Sequence, residues 1–467
     1  MPRFVLFLCF CAIFFSACAH KVIPSSEVKD LRTLPQDSTF YLPKVTNAPN
    51  AALDSIISAP LSPAATYALK RDYLKKYFSP WQQTPNANAS EVFWIKPALL
   101  KTPGFGEHLQ PNSKDYTQSI LDSMQLDIYP SRSVKAIITT TAAVRAVPTN
   151  KPMFNKADGY PFDRWQNSLI FAGTPVLITH ESKDKAWLHI QSGFVYGWVE
   201  AAHIATLSKE QVKSIESTSH YVTPIIDEIS LKDTQGRFIM QARIGQIFAL
   251  SPKQDNANNY ALIIYARLPN GSAKQEIIYA PKAAFKPFPL ALDNKAIAQS
   301  INAMLGQRYG WGGYLANRDC SAFVRDIFGQ FGIHLPRNSK AQVFYGNNSI
   351  SLSALNRVQK EAYIIAHATP YQTILWQNGH IMLYLGSQNG RAIIAHSVWS
   401  VVSGKRYENL LGGVVITSLH VGEEHNSIFG SSQLLIDKIE AMSDLSKLAM
   451  RISNNLDNAQ NKIKEIK

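Results

Sequence analysis

The chain has 467 residues, too many for one ordinary hydrophobic core, so three or four domains are expected. Four cysteines in so long a chain exclude a disulfide-built scaffold, and no run after the first residues is apolar and long enough to span a bilayer. The formal charge of +13 suits contact with polyanions such as anionic wall polymers or lipid headgroups, and no dense Lys/Arg run marks a nucleic-acid surface.

The chain opens as a leader: Arg3, an apolar run from Phe4 to Phe15, then Ser16 and Ala17 before Cys18. Small residues before a cysteine fit lipoprotein processing. Residues 1–17 are thus expected to be a signal peptide and Cys18 the lipidated first residue of a periplasmic, membrane-anchored protein. An ordinary secretory cut near Ala19 is the alternative. Ala19 is not an inner-membrane retention signal of the aspartate type, which favours the outer membrane. Residues 18–60, with scattered Pro, Ser and Asn, read as a tether.

Residues 61–130 read as a small helical domain. Tyr67, Tyr73 and Tyr77 recur at helical spacing, Ser79-Pro80 ends that helix, and Trp81, Trp94 and Phe105 offer an aromatic core. Residues 131–206 and 207–288 each carry short β-rich runs between Pro, Gly and Asn clusters, as two small β-barrels in tandem would. Residues 289–430 read as an α+β domain. Asp293 caps one helix, Asp319 caps a second with a stripe of Val324, Ile327, Phe328 and Phe331, and strands follow. In residues 431–467, apolar positions from Leu435 through Ile439, Met442, Leu445, Leu448 and Ile452 predict a helical tail.

Once the leader is removed, Cys320 is the one cysteine besides Cys18. It lies in the first turn of its predicted helix, where the helix dipole favours a thiolate and backbone N–H groups can stabilise an oxyanion. Two histidines follow on predicted strands. If the hairpin across Gly386–Gly390 is regular, Leu385 faces Arg391 and His380 faces His396 directly, close enough to share a hydrogen bond. His380 would then take the thiol proton and His396 would fix its tautomer. A zinc site from Cys320, His380 and His396 lacks a fourth ligand and the usual paired spacings. No metal or cofactor is expected. His334, His367 and His420 have no comparable partners.

Three stretches, Tyr309 to Val324, Pro336 to Ser339 and Gly379 to Gly386, resemble the NlpC/P60 cell-wall cysteine peptidases. Tyr77 to Trp81, Arg145 to Thr149, Phe162 to Asn167 and Tyr196 to Val199 resemble the subgroup with an N-terminal stabilising domain and two bacterial SH3-like barrels. The resemblance implies a papain-like catalytic domain with Cys320, His380 and His396 as its triad. It implies cleavage between γ-linked D-glutamate and a diamino acid such as diaminopimelate in peptidoglycan stem peptides, with a free N-terminal L-Ala preferred. It also implies recognition by Tyr309, Asp319, Ser321 and Ser339: Asp319 toward an ammonium, the two serines toward the D-Glu α-carboxylate. Tyr196 is the candidate for a pocket-shaping residue of the first barrel. Ala322 and Asn338 depart from the family's usual Gly and Asp. A thiol amidase acting at the glycan–peptide link, or a wall-binding scaffold with a vestigial site, are the competing readings.

Overall fold

The structure is a computed structural model that describes residues 21–43, 61–251, 254–403, 407–425 and 433–454. The leader, Cys18, the second part of the expected tether and the last residues of the tail lie outside the described residues.

After a short strand β1 (Lys21–Ile23), the helical unit is built on α1 (Pro63–Tyr77) and α2 (Lys114–Ser123). Ser62 caps α1 by accepting from the Ala65 N–H, and Pro63 opens it, because a missing N–H costs nothing in the first turn. Trp81 is buried, but its indole leaves the unit: Nε1 donates to the carbonyls of Ala136 and Val176, both at 3.1 Å. Trp94 is 52% exposed, so the expected aromatic core is not what holds this unit together. Phe93, Leu99, Ile120 and Met124 pack instead against Trp165 and Trp198 of the next unit.

That unit contains β2 (Val134–Ile138), β3 (Ala142–Arg145), β4 (Gln166–Ile170), β5 (Pro175–Glu181), β6 (Trp187–Gln191), β7 (Tyr196–Glu200) and β8 (Ile204–Thr206). They form an antiparallel sheet in the order β4-β3-β7-β6-β5-β2-β8. A capped helix α3 (Lys209–Glu216) leads to the second unit, with β9 (Tyr221–Pro224), β10 (Ile229–Lys232), β11 (Phe238–Ala242), β12 (Phe248–Leu250), β13 (Asn259–Arg267), β14 (Ala273–Pro281) and β15 (Phe285–Pro287). Five of these run in the order β14-β13-β12-β9-β15, and β10-β11 is a separate hairpin. Both units have their own apolar cores and are SH3-like, as expected; among the described residues the strand pairing of neither runs full circle.

The C-terminal domain has α4 (Asn294–Asn302), α5 (Cys320–Gln330), α6 (Ser339–Val343), β16 (Ser349–Ser351), α7 (Arg357–His367), β17 (Thr373–Gln377), β18 (His380–Gln388), β19 (Arg391–Ser403), β20 (Tyr407–Ser418) and β21 (Ala441–Asp444). Its sheet order is β1-β20-β19-β18-β17-β21-β16. Alternation along β18 sends Ile381, Leu383 and Leu385 to the core shared with Phe323, Val324, Ile327 and Phe328 of α5, and Met382 and Tyr384 to a second core containing Ile364 of α7. The sheet is therefore covered on both faces, a mixed helix–sheet layer.

Two boundaries differ from the sequence reading. Residues 21–43 are not a free tether. β1 pairs in parallel with β20, the Asp30 carboxylate accepts from the Ser418 N–H and hydroxyl at 2.7 and 2.8 Å, and Tyr371 donates to the Ser38 carbonyl at 2.5 Å. The tail is not one helix. Leu435–Lys438 is a single helical turn, Ala441–Asp444 becomes β21 between β17 and β16, and helix resumes at residue 445. Apolar spacing of three and four fits a buried strand flanked by turns as well as a helix when every position is packed.

Buried charge locks the second SH3-like unit to the C-terminal domain. Arg318 donates to Asp227 through Nη1 and Nη2 at 2.8 and 3.0 Å and to Asp326 through Nε at 2.8 Å. Arg243 also pairs with Asp227 at 3.0 Å, and Gln307 donates to it at 2.7 Å. The Asp227 side chain is 1% exposed and that of Arg318 3%, so this network has almost no water to replace a lost partner.

Candidate active site

Asp319 ends the extended segment before α5 and caps it, accepting from the Ala322 N–H at 2.9 Å. This fixes Cys320 as the first helical residue. The thiol is free of any disulfide and buried. Backbone N–H groups of Ile381 and Ser321 point at the sulfur, which therefore lies against the first residues of β18, where His380 opens the strand.

The Gly-rich turn before α5 explains its own composition. Gly312 has φ +60, and a Cβ there would stand 2.5 Å from the Gln166 carbonyl oxygen of β4. Glycine lets the first SH3-like unit press on the loop, and Gln166 Nε2 then donates to the Gly312 carbonyl at 3.0 Å.

His380 and His396 meet, but not as a direct cross-strand pair. The Asn389-Gly390 turn has positive φ at both residues, the two-residue hairpin turn, so Gln388 faces Arg391 and the loop is shorter than expected. A bulge between Tyr384 and Gly386 then shifts the ladder, and Leu383 faces Ala395. Continuing that register sets His380 level with Val398, diagonal to His396. The imidazoles span the diagonal, with His380 Nε2 and His396 Nδ1 2.9 Å apart. His396 is fully buried, and its Nε2 lies 3.1 Å from the Thr417 hydroxyl.

These contacts are compatible with a tautomer chain in which His380 serves as a base. With the base lone pair on His380 Nδ1, Nε2–H donates to His396 Nδ1, and His396 Nε2–H donates to Thr417 Oγ1. Thr417 is a residue that the sequence reading missed. Nothing local marks it, because it reaches His396 only through the β19–β20 register, which faces Ile394 with Thr417. Thr417→Val should lower kcat about 3- to 10-fold with little change in KM, and Thr417→Ser should restore it, measured by steady-state kinetics.

Electrostatics here differ from the sequence expectation of a ready thiolate. Burial, then the neighbouring Asp319 charge, pushes the Cys320 thiol up to about 12, against opposing pulls from the Ile381 N–H and Arg337. Burial holds His380 down to about 4, and burial followed by the His380 charge holds His396 well below its ordinary value. The resting pair is thus a neutral thiol and a neutral imidazole. The thiolate fraction should rise about tenfold per pH unit between pH 6 and 10. Alkylation of Cys320 by iodoacetamide, followed by peptide mass analysis, should follow that slope, whereas a plateau from pH 6 to 8 would reveal an ion pair instead.

The four expected recognition residues converge with the thiol on one cleft of about 620 Å³. Tyr309 is nearly buried, and its phenol is pushed well above its ordinary value by burial and then by the Cys320 and Asp319 charges. Burial works against the Asp319 carboxylate, but Arg337 and hydrogen bonds from Ala322 and Gly312 hold it below the usual carboxylate range. Arg337, also missed in the sequence, grips Asp319 at 2.6 and 3.1 Å and reaches Ser321 Oγ at 2.6 Å and Ser168 Oγ of the first SH3-like unit at 2.9 Å. Asp319 thus already accepts from five donors, the Gly312 and Ala322 N–H groups, the Ser321 hydroxyl and both Arg337 Nη atoms, so an ammonium would have to share its oxygens. Ser339 accepts from the Trp376 indole at 3.3 Å. Tyr196 lines the far wall, with Arg164 and Asn167 beside it and Trp94 at the helical unit's edge. Among the described residues no group of three or more His, Cys, Asp or Glu could hold a metal ion.

A buried thiol at a helix start, a histidine pair on the adjoining sheet and SH3-like walls define a multidomain hydrolase of the thiol class. The comparisons agree. Residues 306–410 match the NlpC/P60 family, residues 7–129 its N-terminal stabilising domain, residues 152–200 an SH3 domain of SH3b1 type, and residues 209–254 one of SH3b2 type. The chain belongs to the NlpC/P60 family and carries the stabilising domain and both SH3 domains of its subgroup. An NlpC/P60 endopeptidase from Photobacterium damselae subsp. piscicida shares its fold, with a TM-score of 0.75 and 23% identity over 88% of this chain and 97% of that one. A NlpC/P60 family protein from Bacillus cereus ATCC 10987 aligns with a TM-score of 0.44 and 15% identity over 66% of this chain and 98% of that one. No curated protein matches the chain.

Proposed function

We propose that this protein is a cysteine endopeptidase that hydrolyses the γ-D-glutamyl–diaminopimelate bond of peptidoglycan stem peptides. The supporting observation is the shared cleft: Cys320 and the recognition residues Tyr309, Asp319, Ser321 and Ser339 on one side, the first SH3-like unit on the other. The wall from that unit narrows the site toward short peptides, which fits a preference for a free N-terminal L-Ala. The subgroup's domain set also fits a peptidoglycan-derived substrate.

His380 Nδ1 takes the Cys320 proton as sulfur attacks the γ-carbonyl carbon. The oxyanion is held by N–H groups at the start of α5. The tetrahedral intermediate collapses with release of the diamino acid amine, which His380 protonates, leaving a thioester that water hydrolyses. His396 stays neutral and accepts from the His380 imidazolium throughout. We also propose the lipid anchor at Cys18 and a periplasmic location, on the strength of the leader alone.

Incubation with L-Ala-γ-D-Glu-diaminopimelate and mass analysis should show L-Ala-D-Glu and free diaminopimelate. Cleavage of intact wall between glycan and L-Ala, with the tripeptide left whole, would favour the amidase reading instead.

A further inference from the structure

The cleft carries three charged side chains among the described residues: Asp319, Arg337 and Arg164. The first two neutralise each other in a 2.6 Å ion pair. Arg164 has no acidic partner among the described residues, so the cleft keeps one positive charge that the protein itself does not use.

That charge is held in a fixed posture. The Arg164 guanidinium lies over the Trp311 ring, 5.0 Å from its centroid. With the Asn155 amide turned so that its oxygen faces the guanidinium, it accepts from Nε and Nη2 at 3.1 and 3.3 Å. This occupies one edge of the planar fork and leaves the Nη1 side without a protein acceptor among the described residues. The neighbours of Arg164 are held by buried polar contacts. Asp163 is buried in a 2.6 Å ion pair with Arg145 and accepts from the Met153 and Trp165 N–H groups, and Gln166 is tied to Gly312. A stacked, half-satisfied guanidinium on a rigid wall of a ligand cleft has the geometry for bidentate recognition of a carboxylate.

We infer that Arg164 of the first SH3-like unit is a carboxylate-recognising residue of this cleft in addition to Ser321 and Ser339, so that stem peptides with a free carboxylate are preferred over their carboxamide forms. The inference rests on the peptidase reading for its substrate class. It adds a residue outside the catalytic domain and a selectivity that the triad does not explain. Arg164 is a specificity residue here, since it touches substrate but not the reacting atoms.

The test uses the full chain with three peptides: L-Ala-γ-D-Glu-diaminopimelate, its D-Glu α-carboxamide, and its diaminopimelate carboxamide. The unaltered enzyme should lose about 10- to 100-fold in kcat/KM, through KM, on one of the two carboxamides. Arg164→Gln should lose a similar factor on the acid form and show no preference between it and that carboxamide. Arg164→Lys should fall between, because it keeps charge without the fork. A preference retained in Arg164→Gln overturns the inference. Calorimetric binding of the same peptides to the Cys320→Ala form, with and without Arg164→Gln, reads the discrimination without turnover. Failure of the unaltered enzyme to cleave any peptide, with the binding preference present and Arg164-dependent, would sink the peptidase reading and leave this one standing. Equal binding of acid and carboxamides overturns it.

Discussion

Cys320→Ala should abolish release of diaminopimelate from L-Ala-γ-D-Glu-diaminopimelate, with a fall in kcat on the order of 10⁴-fold or more. The reason is specific to this site: no second cysteine among the described residues can take over attack, since Cys320 is the one free thiol there. His380→Ala should come close to the same loss, because the thiol is pushed up to about 12 and needs a base at neutral pH. His396→Ala should cost less, about 10²-fold, since it removes the neighbour that steadies the base and not the base itself. Product quantification by mass spectrometry decides the matter. Turnover by Cys320→Ala at more than a hundredth of the original rate would end the proposed mechanism. The substitution exchanges one small side chain for another, so the variant should keep its melting behaviour, and a scan alongside the assay separates lost chemistry from lost folding.

The second large effect concerns stability and comes from a residue far from the thiol in sequence. Asp227 is held below the usual carboxylate range: burial opposes its charge, and Arg318, Arg243 and Gln307 outweigh it. Asp227→Ala would leave two buried guanidinium groups without that partner and should cost about 3–5 kcal/mol. Arg318 also pairs with Asp326 and precedes Asp319, so the loss should loosen the turn that sets the start of α5 and reduce activity as well. Asp227→Asn should be milder, because it retains an acceptor for the Ile244 N–H, which Asp227 now satisfies at 2.7 Å. Denaturant unfolding followed by a domain-interface signal is the measurement. A midpoint shift too small to resolve would show that water or Asp326 fills the gap.

Local chemistry made much of this site readable before its geometry was known. A capping Asp319 followed by an apolar stripe specifies α5, and a helix start specifies where Cys320 sits. The histidines were readable as strand residues. Their exact relation was not, because one bulge at Leu385 and a two-residue turn decide it, and both depend on tertiary fit of the hairpin. Thr417 and Arg337 were hidden for a related reason: each acts on a residue many positions away, through strand register in one case and a folded-back loop in the other. Strand β21 was misread because its four residues, Ala441 to Asp444, are too few to show a period of two, and Met442 falls on the helical spacing of the apolar residues around it. Trp94 looked like core and is a cleft wall, since hydrophobicity alone does not separate burial from ligand contact.

The pairing of β1 with β20 and the insertion of β21 between β17 and β16 bear on how the hydrolase can be dissected. A recombinant fragment spanning 289–430 would lack both segments. It would bare the stretch of β20 from Tyr407 to Asn409 that β1 pairs and open a slot inside the sheet, two surfaces ready to recruit strands from other molecules. Aggregation of such a truncation would therefore report missing strands at both termini, and co-supplying the excised peptides would be the way to recover a monodisperse catalytic module.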